Sequence, residues 1–70
     1  MKATIDLEFQ HVRIEEAFIE AKRIASILDV WCRFIINDVE CHVNKLSNIE
    51  EGIRLYREEI SNPNNLYVFC

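Results

Sequence analysis

The chain has 70 residues, 12 of them acidic and 8 basic, for a net charge of −4. That length allows one domain, spanning 1–70, and a chain this short buries only about 60% of the surface it exposes when unfolded. Half the residues are hydrophobic, with one Gly and one Pro, which excludes a disordered chain. The acidic balance gives nucleic acid no electrostatic reason to bind, and no apolar run approaches the ~18 residues of a membrane span. Met1-Lys2-Ala3-Thr4 leads directly into an alternating pattern, and three cysteines is an odd number. Reduced thiols in a cytoplasmic protein are therefore expected.

Residues 4 to 10 alternate, with Ile5, Leu7 and Phe9 on one side and Thr4, Asp6, Glu8 and Gln10 on the other. Period two with β-branched and aromatic members predicts a strand with one wet face. From Ile14 the period lengthens. Ile14, Ala17, Phe18, Ala21, Ile24, Ala25 and Leu28 form one helical stripe, and Glu15 and Glu16 suit the positive end of the helix dipole. Ile19 and Ile27 lie off that stripe.

Two strands follow, Val30 to Ile36 and Val39 to Val43, around Asn37-Asp38. Asn and Asp tolerate the positive φ of a two-residue hairpin turn. That turn sets Ile36 opposite Val39, Phe34 opposite Cys41 and Cys32 opposite Val43, six apolar residues on one face. A slip by one residue would bury Glu40 or His42. Next, Ser47-Asn48-Ile49-Glu50 has the form of a capping box with Ser47 as N-cap. The helix it opens carries Ile49, Ile53, Tyr56 and Ile60, with Glu50 and Arg54 as an i,i+4 pair. Gly52 on its buried side implies a close approach to the sheet. Ser61-Asn62-Pro63-Asn64-Asn65 ends the helix, and Leu66 to Cys70 is strand-like again.

The order is β-α-β-β-α, with a further β at the end. With both helices on one face and right-handed crossovers, this predicts an α+β two-layer sandwich with a ferredoxin-like split β-α-β sheet. The third strand would lie between the first and second, antiparallel to both, and the fourth on the far side of the first.

The face away from the helices then holds Thr4, Asp6, Glu8 and Gln10, then Trp31, Arg33 and Ile35, then Glu40 and His42. Trp31 and Ile35 are large apolar groups where a lone monomer would present polar ones, and Trp and Arg are typical interface anchors. A plainer reading tucks Trp31 at a sheet edge or under the C-terminal tail. RNA-recognition domains stack bases on the central strands of this topology. Here those strands would offer Thr4, Asp6, Glu8, Glu40 and His42, acids where phosphates must pass. Cys41 and His42 point to opposite faces and cannot share a metal ion. No Cys-x-x-Cys or His-x-x-x-His spacing exists, a single Gly allows no phosphate loop, and no cysteine is placed to meet a histidine. No cofactor and no catalytic residue are expected.

The stretch Phe34-Ile35-Ile36-Asn37-Asp38-Val39-Glu40-Cys41-His42-Val43, with the Ile49-to-Ile60 helix, resembles a pattern in small uncharacterised proteins encoded by bacteriophages. The resemblance implies a small accessory protein that binds and inhibits a host or defence protein, and it transfers no functional residues. The expected function is a non-enzymatic protein-binding module using Trp31, Arg33, Ile35 and His42, with Tyr67 and Phe69 if the tail joins the sheet. The partner is a protein of unknown identity, and a homodimer is one expected form. Replacing Trp31 by Ala should then leave the fold intact and weaken partner capture or self-association. The alternatives from other classes are a small-ligand sensor or minor enzyme of ferredoxin-like shape, and a structural subunit of a larger assembly.

Overall fold

In a computed structural model, which describes residues 3–70, the elements are β1 (Thr4–Asp6), α1 (Ile14–Leu28), β2 (Trp31–Ile36), β3 (Val39–Val43), α2 (Ile49–Ser61) and β4 (Tyr67–Phe69). The first strand is shorter than its alternation suggests. Leu7 still donates its N–H to the Arg33 carbonyl (2.8 Å), and the inside-outside alternation runs on to Gln10 without regular pairing. Helix α1 buries Ala17, Phe18, Ala21 and Ala25 completely, while Leu28 at its end, Ile19 and Ile27 are exposed.

The hairpin has the predicted register, with Ile36 opposite Val39, Phe34 opposite Cys41 and Cys32 opposite Val43. Asn37 and Asp38 both have positive φ, 52° and 66°, as the two-residue turn requires. The Asn37 amide also donates to the Tyr56 hydroxyl (2.9 Å), tying the turn to α2. All the inward residues meet one core of Phe18, Phe34, Val39, Cys41, Val43, Tyr56 and Val68, so both helices lie on the same face of the sheet.

The strand order is β1-β2-β3-β4, which corrects the ferredoxin-like arrangement. β1 pairs directly with β2 in parallel, β3 lies outside β2 and antiparallel to it, and β4 lies beyond β3 and parallel to it. The result is two adjacent β-α-β units joined by the hairpin. Both crossovers step the same way across the sheet, both helices share a face, and the strands reverse direction between the units. Their hands must therefore be opposite. Seen with its side chain toward the viewer and the chain running upward, an L-residue in a strand directs its N–H and C=O to the right. Phe34 faces the helices while the Arg33 carbonyl, in the opposite phase, meets β1, so β1 lies to the left of β2. The first crossover is right-handed and the second left-handed, a hand found in about 2% of parallel crossovers.

Local contacts hold β4 in that unusual place. The Glu59 carboxylate accepts the N–H groups of Asn64, Asn65 and Leu66 (3.1, 3.2 and 2.8 Å), which shapes the turn out of α2. Those backbone bonds hold the Glu59 carboxyl below its usual range. Ser47 is buried, and its hydroxyl donates to the Cys70 carbonyl (2.7 Å) while accepting from the Asn44 N–H (2.8 Å). That role displaces the predicted cap. Asn48 is the N-cap of α2 and accepts from the Glu51 N–H, and Arg54 pairs with Glu51 and Glu58 in place of Glu50.

Gly52 makes the close approach its position implied, but toward α1 and the last residue of the sheet layer. A Cβ there would lie 2.7 Å from Phe18 Cε1 and 2.8 Å from Cys70 Sγ. Ala at an exposed helix position would gain about 1 kcal/mol over Gly. Phe18 is fully buried, with its ring edge-on to Phe34, and has no room to yield. Overpacking costs about 1–3 kcal/mol, so Gly52→Ala is expected to be net destabilising. A lower urea midpoint would show this; a raised midpoint would contradict the contact.

Candidate protein-binding face

The pleat of four strands carries the open face. Register aligns its residues in rows: Asp6, Arg33, His42 and Phe69 form one, and Ile35, Glu40 and Tyr67 the next. Strand β2 places Trp31 beside Thr4, one step further along. Trp31, Arg33, Ile35, His42, Tyr67 and Phe69 thus share one face. The central strands are β2 and β3, where the sequence-based layout had the first and third.

Two kinds of contact organise the face. The first is a chain of charge. Arg33 Nε lies 2.8 Å from an Asp6 carboxylate oxygen, Arg33 Nη1 3.5 Å from Glu40, and His42 Nε2 2.7 Å from the other Glu40 oxygen. The His42 hydrogen bond, aided by attraction to Arg33 and opposed by partial desolvation, holds the Glu40 carboxyl below its usual range. The second is an aromatic cluster. Trp31 meets Phe69 at 4.7 Å between ring centroids, and His42 stacks on Tyr67 at 4.8 Å and lies 5.8 Å from Phe69. Trp31 thus sits on the open face, half-buried against the tail strand as the plainer reading has it.

What stays open to solvent is apolar at two places. Ile35 is 53% exposed on one side of the charge chain, and Phe69 is 57% exposed and Tyr67 39% on the other. A groove of about 380 Å³ runs beside Ile35, between it and the Asp6–Gln10 segment. A larger hollow of about 810 Å³ lies against α2 and the turn that follows it. Its walls include Arg54, Glu58 and Glu59, which are engaged with one another or with backbone.

The corrected strand order changes the case against RNA. The central strands now present Trp31, Arg33 and His42, and aromatics of this kind can stack bases. Yet Arg33 is held between two carboxylates, and Asp6 and Glu8 border it, so among the described residues the face offers no unengaged cation for the phosphates. Among the described residues no group of three His, Cys, Asp or Glu could hold a metal ion. Cys32 and Cys41 are fully buried in the core, Cys70 is half-buried beneath Gly52, and His11 is exposed at a positive φ of 59°. No helix of the described chain is long and apolar enough to cross a membrane.

Sequence reasoning missed the Ser47–Cys70 and Asn37–Tyr56 bonds, and held the Trp31–Phe69 contact only in outline, as Trp31 under the C-terminal tail. The first two join residues 23 and 19 apart, and no local pattern encodes such a pairing. The third followed once Phe69 was placed beside His42, which required the true strand order. No protein-family model matches the chain, and no curated protein or solved structure was found to be similar to it.

Proposed function

We propose that this chain is a non-enzymatic protein-binding module that acts through the open face of its sheet. The observation that carries the reading is the exposure of Ile35, Tyr67 and Phe69 around a self-paired charge chain. Apolar groups rimmed by paired polar ones are what an interface uses to bury area without stranding a charge. In this reading Ile35, Phe69 and Tyr67 are the anchors, Trp31 backs Phe69, and Arg33 with His42 fixes their setting. The resemblance to phage-encoded accessory proteins extends it: the partner is a host or defence protein whose surface the face covers, and the module works in the cytoplasm.

The test is Ile35→Asp. Ile35 is exposed but stands opposite Glu40, so Asp there should cost about 1 kcal/mol and leave the chain folded. It should abolish capture of host proteins that wild type retains, and remove partner-induced slowing of amide exchange in β2 and β3. Equal capture by the variant would refute the role of the face.

A further inference from the structure

The free edge of β4 borders the open face and shares Tyr67 and Phe69 with it, but it offers their backbone where the face offers their side chains, and it is built for one kind of neighbour. Glu40 donates its N–H to the Leu66 carbonyl (2.9 Å), and Cys70 donates to the His42 carbonyl (3.5 Å). In an extended strand these bonds turn the backbone of Leu66, Val68 and Cys70 toward β3. The N–H and C=O groups of Tyr67 and Phe69 therefore point away from the sheet. The Tyr67 N–H is met only by the Asn65 side chain of its own turn (3.1 Å).

Sheet edges are normally blunted by charge or proline. The opposite edge follows this rule, since Asp6 and Glu8 line it. The segment Leu66-Tyr67-Val68-Phe69-Cys70 has no charged side chain and no proline, and Leu66, Tyr67 and Phe69 are exposed. For a molecule of net charge −4, this edge is where a second copy can approach without like charges in register.

We propose that β4 pairs antiparallel with β4 of a second copy, across a two-fold axis at Val68, to make one eight-stranded sheet. In that register Tyr67 of each copy faces Phe69 of the other, and every outward N–H and C=O of the two residues finds a partner. The aromatic row of Trp31, His42, Tyr67 and Phe69 continues across the axis on the open face. Because the edge pairs through the backbone of β4 and Ile35 lies two strands away on β2, self-pairing leaves Ile35 free for another protein.

The experiment combines sedimentation with amide exchange on the 70-residue chain. Wild type should dimerise, and the Phe69 and Tyr67 amides should exchange about tenfold more slowly as concentration rises through the dimer transition. Tyr67→Lys with Phe69→Lys should be monomeric at all concentrations, since each pair then opposes two cations. Tyr67→Glu with Phe69→Lys should regain the dimer, now weakened by salt, because each pair is opposite in sign. Ile35→Asp should dimerise like wild type, which keeps this result separate from the fate of the binding face. A monomeric wild type, a dimer that survives the double-lysine change, or a dimer lost in Ile35→Asp with the Phe69 amide unprotected would each overturn the proposal. If the charged variants fail to fold, the wild-type amides decide: concentration-independent exchange at Phe69 overturns it.

Discussion

Phe34→Ala is expected to remove most of the stability of this chain. Phe34 is 1% exposed, and its ring stands edge-on to both Phe9 and Phe18, with centroids 5.3 and 5.2 Å away. It is the point where β2 meets α1 and the segment that extends β1. Truncating a buried Phe costs about 3–5 kcal/mol through lost transfer energy and the cavity left behind. At ~0.05–0.15 kcal/mol per residue, the whole chain has roughly 4–10 kcal/mol to lose. The thermal midpoint should fall by about 12–40 °C, taking about 4–8 °C per kcal/mol for a chain of this size. Ile35→Ala, one residue on and facing solvent, should move it by no more than a few degrees, or about 0.5 kcal/mol. A drop below about 5 °C for Phe34→Ala would mean that the alternation in β2 is out of phase.

The second large effect is on the thiols. Cys32 and Cys41 are fully buried, and burial pushes the Cys41 thiol up to about 12 from its ordinary 9.0. Burial also raises Cys32 and Cys70. Only the thiolate attacks an alkylating reagent, so near neutral pH ionisation alone slows Cys41 about a thousandfold, before access is counted. Alkylation of the native protein at pH 8 should modify Cys70 first and reach Cys32 and Cys41 only as fast as the core opens. Mass spectrometry of timed samples would show it; early modification of Cys41 would contradict the packing. The same shift sets a pH dependence. A thiol whose folded pKa is raised favours the folded state while protonated, so its contribution is complete below about pH 9 and is lost as pH rises toward 12. Alkaline unfolding should therefore begin near pH 9, and Cys41→Ala should shift its onset upward.

Local pattern and tertiary packing divided the structure between them. Ile14 to Leu28 follows its stripe, and the hairpin follows from six apolar residues that cohere in only one register. Such features are legible because period and turn chemistry act over a few residues, where competing arrangements would bury Glu40 or His42. The identity of the open-face residues was legible for the same reason: phase along a strand does not depend on which strand lies beside it. The cap of α2 was misplaced by one residue because Ser47, suited to capping, is drawn into a bond with Cys70, 23 positions away.

The sequence alone determined the elements and most of their inward faces, since alternation and helical period are local consequences of backbone geometry; Leu28 and Ile60, each at the far end of its stripe, lie exposed instead. Tertiary structure alone decided the strand order. The right-handed rule favours placing the last strand beyond β1, but that rule expresses an average preference of twisted chains. Here a three-residue strand is held beside β3 by the Glu59-bound turn, the Ser47 bond and the stacking of Tyr67 and Phe69 on His42. Those contacts exist only after folding, and together they outweigh the preferred hand.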